Sequence, residues 1–324
     1  MAVDAGFWGG RTVLVTGAAG LLGGWLSRGL FAAGARVVGF DIDWEGGAIL
    51  APDEPVVRVD GDVRDPEAVA GCLAEHEPSV VVHLAAQTQV GVANDEPVDT
   101  FEHNILGTWV LLDACRRAGS VSGAVVASSD KAYGDRGGAA YVESDEFAAR
   151  HPYAASKACA DMLAQTYAES YGVPVAISRC GNMYGGGDLE WERIVPGTIR
   201  SLLRGERPII RSDGRFVRDY LYVEDAADGV ALLAQAVTER PELRGEAFNI
   251  AAETRLTVLE LVDRIRSLTA VDLEPEILDE AQNEIREQRV DSAKARAVLG
   301  WEPAHGLDEG LRRSIEWYRH YLAT

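Results

Sequence analysis

Positive charge is scarce in this chain of 324 residues: 31 lysines and arginines stand against 51 aspartates and glutamates, for a formal net charge of −20. A surface of that sign repels phosphate backbones and anionic lipid, so nucleic acid and membrane surfaces are not expected partners. An anionic small molecule remains compatible, provided a local cationic pocket receives it. Cysteine is sparse too. Cys72, Cys115, Cys159 and Cys180 lie far apart with no CxxC pair. That spacing excludes a disulfide framework and a cysteine metal site, and reads as the reduced thiols of a cytoplasmic protein. No apolar run reaches the roughly 18 residues that span a bilayer. The first ten residues, MAVDAGFWGG, lack the basic and apolar stretches of a secretory signal, so none is expected.

Glycine, by contrast, is plentiful, with 34 residues scattered along the chain. It punctuates a pattern in which short apolar runs alternate with helical spacing. Thr12–Thr16, Arg36–Phe40, Val56–Val59, Val80–Leu84, Ala124–Ser128 and Val175–Arg179 read as strands. Between them, Leu21–Ala33, Pro66–Glu75, Val98–Ala118 and Tyr153–Tyr171 read as helices. Continuous apolar strands between amphipathic helices predict a Rossmann-type α/β fold, a doubly wound parallel sheet covered on both faces. The pattern changes near Arg179. Loops lengthen, a basic stretch runs from Arg200 to Arg218, and helices are expected at Glu224–Val237, Val258–Thr269 and Leu307–Tyr321. This divides the chain into a dinucleotide-binding domain, 1–180, joined by returning segments of the second half, and a smaller C-terminal α/β substrate lobe, 181–324.

The first strand runs into Gly17-Ala18-Ala19-Gly20-Leu21-Leu22-Gly23. Gly17 can make the tight turn, Gly20 lets the backbone approach a pyrophosphate, and Gly23 lets helix and strand pack closely. Asp41, about 20 residues on, can accept both adenosine ribose hydroxyls. No Arg or Lys follows it in Ile42-Asp43-Trp44, so a 2′-phosphate would meet only negative charge. NAD is therefore expected over NADP, with Asp62 and Val63 at the adenine edge. Small residues from Leu84 through Ala85 and Ala86 to Gln87 would let the cofactor lie against the backbone.

Tyr153 and Lys157 stand at i and i+4, on one helical face. The Lys157 ammonium, with oxidised nicotinamide, is expected to lower the Tyr153 pKa toward neutrality, so that Tyr153 can take a proton from a substrate hydroxyl. Ser129, beyond the fifth strand, can hydrogen-bond the same oxygen. With these motifs in order, the chain resembles the extended short-chain dehydrogenase/reductase family, the nucleotide-sugar epimerases and dehydratases. The likeness continues through Asn104-Ile105-Leu106-Gly107-Thr108, Arg179-Cys180-Gly181-Asn182-Met183-Tyr184-Gly185, Arg218-Asp219-Tyr220 and Leu299-Gly300-Trp301. The resemblance implies that Asn182 and Arg218 hold a substrate diphosphate. It implies further that Thr88, Arg193, Val195, Arg211 and Arg286 complete the sugar-nucleotide site and that Asn104 and Arg179 serve the cofactor. No metal is implied. It also implies a homodimer through a four-helix bundle of Val98–Ala118 and Tyr153–Tyr171, both of which carry apolar stripes.

Within the family, Asp130-Lys131 after Ser129 resembles the CDP-glucose 4,6-dehydratase branch. A dehydratase needs two ionisable groups beyond the Ser-Tyr-Lys set. Oxidation at C4 acidifies the C5 proton, a base removes it, and an acid protonates the departing C6 hydroxyl. Asp130 is the candidate acid and Lys131 the candidate base. Two alternatives stay open: a 4-epimerase using Ser129, Tyr153 and Lys157 without water loss, and a nucleotide sensor that binds NAD without turnover. The nucleotide base is open as well.

Overall fold

The computed structural model describes residues 4–51, 53–280 and 285–323. Seven parallel strands form the central sheet: β1 (Thr12–Thr16), β2 (Arg36–Asp41), β3 (Val57–Asp60), β4 (Val80–His83), β5 (Gly123–Ala127), β6 (Val175–Cys180) and β7 (Ala247–Ile250). Their spatial order is β7-β6-β5-β4-β1-β2-β3. The order reverses between β1 and β4, and a crevice opens beyond the carboxyl ends of the strands at that switch point. Parallel strands buried on both faces need apolar side chains on both, which Val13, Leu14 and Val15 supply in β1 and Val80, Val81 and Val82 in β4.

Six of the strands and most of the helices fall where the spacing predicts them, with ends displaced by a residue or so. Leu84 and Ser128 lie just past their strands. The structure adds a seventh strand, β7, and a helix at Ile194–Leu203 that runs into the start of the stretch read only as basic. The helix expected over Val98–Ala118 begins at Pro97 and is interrupted by a π-turn at Glu102–Leu106 before resuming at Gly107–Ala118. The extra backbone residue turns Asn104 inward, an arrangement that wide turns often make beside functional sites.

The second half returns to the sheet. The helix Val223–Glu239 packs on the Leu21–Ala32 helix and over β5 and β6, and β7 pairs with β6. What remains of the second half is held by three two-stranded ladders: Tyr220–Tyr222 on Asn182–Tyr184, Leu256–Thr257 on Val217–Arg218, and Glu276–Ile277 on Ile209–Ile210. These bring Arg211, Arg218 and Asn182 to the mouth of the crevice.

Candidate active site

The crevice is a cleft of about 770 Å³ with the glycine loop at one end and the short ladders at the other. At the first end, glycine is required by geometry. Gly17 has φ +71°, and a Cβ there would lie 2.7 Å from the Ala85 nitrogen. A Cβ at Gly23 would overlap the Gly17 carbonyl. The backbone is thus compact enough to leave a cradle at the start of Leu21–Ala32, where unpaired N–H groups favour an anion. Gly17, Ala19, Gly20, Leu21, Leu22 and Gly23 all line the cleft. Asp41 closes this end of β2. Its Oδ2 accepts from the Ala19 amide and its Oδ1 from the Ile42 amide, both at 2.8 Å. Burial nevertheless pushes its carboxyl up from the ordinary value. Ile42, Asp62, Val63 and the run Leu84 to Gln87 complete this wall. Asp62 is gripped by Arg64 at 2.6 Å, and that hydrogen bond holds its carboxyl below the usual range. The donor set fits a dinucleotide with an unphosphorylated ribose.

Behind this wall runs a chain of hydrogen bonds that fixes its shape. Thr108 Oγ1 donates to the Asn104 carbonyl at 2.6 Å, so it must accept from His83 Nε2 at 3.2 Å. His83 Nδ1 is then a lone pair that accepts from Thr16 Oγ1 at 2.7 Å. Burial drives the His83 pKa down to about 3, which keeps the ring neutral. Asn104 exchanges two hydrogen bonds with the Gln87 backbone and reaches Ser156 on the Pro152–Tyr171 helix. It is therefore buried and does not line the cleft, contrary to the expected cofactor contact. It holds the loop that does.

At the centre, Ser129, Lys131, Tyr153 and Lys157 converge. Lys157 Nζ donates to the Ala127 carbonyl at 2.9 Å, and burial lowers its pKa to about 8. The Tyr153 phenol is pushed up to about 12, chiefly by burial and against the pull of its hydrogen bond with Ser129. The ammonium is aimed at a carbonyl, so burial dominates. Lys131 Nζ donates to Asn182 Oδ1 at 2.8 Å and lies 3.7 Å from Asp130 Oδ1.

Asp130 itself requires the largest correction. Its side chain is fully buried and does not face the cleft. Ser129 caps the short turn Asp130–Tyr133 by accepting from the Lys131 amide, and this turns the first side chain of the turn beneath the floor. There Asp130 Oδ1 accepts from Ser129 Oγ at 3.1 Å. The Asp219 carboxyl, also buried, is pushed up to about 7, first by burial and then by the charge of Asp130.

At the substrate end, Gln87, Thr88, Asn182, Arg193, Val195, Arg211 and Arg218 line the cleft as expected. Arg193 donates to Asp188 Oδ1 at 3.0 Å and to Thr88 Oγ1 at 2.9 Å, bridging the two walls. Arg211 pairs with Glu192, and Arg218 donates to the Val217 carbonyl. Two expected contacts are not made. Arg179 is buried against Asp161 at 2.8 Å with its guanidinium over Tyr133 and Phe147, because it follows the inward alternation of β6. Arg286 is exposed outside the cleft and reaches it only through its carbonyl, which accepts from Arg218. Sequence reasoning missed His103, Asp188, Phe216, Tyr220 and Val258, all of which line the cleft. Asp188 follows directly on three consecutive glycines, Gly185–Gly187. Tyr220 lies in the Arg218-Asp219-Tyr220 segment, whereas His103, Phe216 and Val258 carry no local pattern that marks them.

Comparison with known proteins agrees with this geometry. Residues 13–251 match the NAD dependent epimerase/dehydratase family, and the chain belongs to it. It is 32% identical to a CDP-glucose 4,6-dehydratase of Salmonella typhimurium, covering 99% of this chain and 94% of that one. It is 35% identical to a dTDP-glucose 4,6-dehydratase of Streptomyces antibioticus, over 95% and 92%. The fold superposes on a dTDP-glucose 4,6-dehydratase from Streptomyces venezuelae solved with NAD bound, with a TM-score of 0.87, 28% identity and coverage of 97% and 98%. It superposes equally on a UDP-glucose 4-epimerase from Thermotoga maritima, with a TM-score of 0.88, 29% identity and coverage of 96% and 100%.

Proposed function

We propose that this protein is an NAD-dependent nucleotide-sugar 4,6-dehydratase, converting a nucleotide-linked hexose to its 4-keto-6-deoxy form. The observation that carries this reading is the Asp130–Lys131 pair joined to Ser129 opposite Tyr153 and Lys157. A dehydrogenase set alone needs no such pair. When bound, NAD supplies the oxidant at C4 and the reductant at C6. Tyr153 takes the C4 hydroxyl proton, for which a phenol near 12 must be brought down. A Lys157 at about 8 is charged at neutral pH and acts in that direction, as does the positive nicotinamide. Lys131 removes the C5 proton and later returns it. Asp130 hands a proton through the Ser129 hydroxyl to the C6 oxygen, which leaves as water. Arg193, Arg211, Arg218 and Asn182 hold the diphosphate and sugar.

The first 180 residues chiefly carry NAD, and 181–324 chiefly carry the nucleotide sugar. The subunits pair as homodimers. Val98, Phe101, Trp109 and Met162 are large apolar side chains left exposed on the Pro97–Ala118 and Pro152–Tyr171 helices, as a four-helix bundle would require. Among the described residues no helix is long and apolar enough to cross a membrane, and the four cysteines are unpaired, which supports a cytoplasmic setting.

The test is incubation with CDP-, UDP-, dTDP- and GDP-hexoses, read by mass spectrometry. Loss of one water from any of them supports the reading. A second reading, 4-epimerase, is favoured by one feature: Asp130 is turned away from the cleft. A stereoisomer of unchanged mass would establish it and overturn the first.

A further inference from the structure

Beneath the cleft floor, Asp130 has a second partner that comes from a distant part of the chain. Gln288 Nε2 donates to Asp130 Oδ2 at 3.4 Å across 158 residues of sequence separation. Gln288 is almost wholly buried. Its backbone amide donates to the Val217 carbonyl, beside Arg218, so the residue is fixed to the substrate ladder. Each oxygen of the buried carboxyl thus has one neutral hydrogen-bond partner, the Ser129 hydroxyl on Oδ1 and the Gln288 amide on Oδ2, with the Lys131 ammonium farther off, 3.7 Å from Oδ1.

The choice of partner is informative. A general acid cycles between carboxylic acid and carboxylate, and the two states ask opposite things of their surroundings. The acid has a proton to place, whereas the carboxylate needs a donor. A buried polar group left without its partner is costly. An arginine would serve only the charged state. With the acid's proton on Oδ1 facing Ser129, Oδ2 accepts in either state, so the neutral Gln288 N–H serves both without favouring the charged one. The Ser129 hydroxyl can both accept and donate, as a relay requires.

We propose that Gln288 is a positioning residue for proton delivery, whose amide holds the Asp130 carboxyl in both of its protonation states. This rests on the reading of Asp130 as the acid of the elimination. In that step the Asp130 O–H bond breaks, and the Ser129 oxygen gains the proton while passing its own to the C6 oxygen. The C6–O bond then breaks with its electron pair on the departing water. Asp130 regains a proton from solvent, balancing the one that Tyr153 takes from the C4 hydroxyl and releases. Throughout, the Gln288 N–H keeps its bond to Oδ2, so the carboxylate formed beneath the floor is not left bare.

The experiment uses the full-length protein with NAD and either CDP-glucose or dTDP-glucose, whichever the wild type dehydrates. Two readouts are followed after rapid mixing: bound reduced cofactor, which reports C4 oxidation, and keto-deoxy product by mass spectrometry. Gln288→Leu should leave KM and the oxidation rate within about threefold. Product formation should fall about ten- to a hundredfold, the rate equivalent of one unpaired buried polar group, so that reduced cofactor accumulates. Gln288→Glu keeps the shape and sets two carboxyls side by side, which share one proton. Its elimination rate should recover toward about pH 6 and fall toward about pH 8 more steeply than in the wild type. The other groups around the site, Lys131, Tyr141, Tyr153, Cys180 and Asp219, are common to both proteins, so the difference reports the new carboxyl. If Gln288→Leu slows oxidation and elimination alike, or neither, and Gln288→Glu follows the wild-type pH profile, Gln288 is a structural amide and the proposal fails. Asp130→Asn, run in parallel, separates the two ideas. Wild-type dehydration by that variant removes the acid assignment itself. A dead Asp130→Asn beside a normal Gln288→Leu removes only the role of Gln288.

Discussion

The two ends of the cleft are built on different plans. The cofactor end is one continuous sheet: β1, β2 and β4 present consecutive backbone segments, and one loop of seven residues supplies the anion cradle. The substrate end is assembled from ladders two or three residues long, drawn from segments far apart in sequence. The first presents mostly backbone and small side chains, with Asp41, Asp43 and Asp62 as its carboxylates. The second presents Arg193, Arg211 and Arg218 in a chain whose net charge is −20. Recognition by backbone is insensitive to most substitutions, whereas recognition by a few guanidinium groups can be retuned one residue at a time. The catalytic groups sit where the two plans meet.

That contrast can be broken or sharpened by substitution. Tyr153→Phe, at the junction, should lower C4 oxidation by roughly four orders of magnitude, the scale seen when one member of a coupled catalytic set is disabled. NAD affinity should stay within a few-fold by calorimetric titration. A variant with near wild-type turnover would remove Tyr153 as the base. Asp130→Asn should lower product release by about two to four orders of magnitude while oxidation continues, seen as bound reduced cofactor.

Behind the cofactor wall, His83 provides a test of stability. Its folded pKa of about 3 lies below its unfolded value of 6.5, so the unfolded chain binds the extra proton between those values. Stability should therefore fall as pH drops from about 6.5 toward 3, by on the order of 3–5 kcal/mol from this group. Chemical denaturation of His83→Gln across that range should give a flatter dependence. An identical slope would show that the ring is not held neutral.

At the substrate end, Arg218→Ala should raise KM about ten- to a hundredfold with little change in NAD binding, as expected for loss of a charge-assisted contact. Calorimetric titration of both partners would settle it, and equal weakening of NAD would blur the division between the two ends. The smallest effect is expected at Asp41. The wild type should bind NAD well ahead of NADP, and Asp41→Ala should weaken NAD by about tenfold and narrow that gap. Equal affinity of the wild type for both dinucleotides would overturn the assignment.

The same contrast explains what the sequence discloses. The glycine loop, Asp41 and the Tyr153–Lys157 pair are local: each is set by spacing within one strand-loop-helix unit, where periodicity is the controlling physics. Asn104 and Arg179 were misassigned because their motifs are genuine while their directions are not. A π-turn rotates Asn104 inward, and the pleat of β6 turns Arg179 toward Asp161. Neither rotation leaves a mark on spacing. Asp130 illustrates the same limit, since one capping hydroxyl decides whether it faces substrate or the floor. Gln288 and Phe216 could not be found from sequence at all, because only tertiary pairing brings them to the site.

The seventh strand has a consequence for how the molecule is made. All six residues of β6 are buried, and one of its edges is satisfied only by β7, residues 247–250. A ribosome that has released the first 180 residues has therefore produced a sheet with an open, apolar margin and one face of β5 and β6 still waiting for the Val223–Glu239 helix. Nearly seventy further residues, 181–246, must emerge before that margin can close. During this interval the nascent chain offers a template for pairing with another copy of itself, the hazard that unfinished parallel sheets carry. The long return of the chain makes the first half dependent on the second for its completion. A fragment cut at residue 180 should accordingly collect in inclusion bodies instead of folding as a small nucleotide-binding protein.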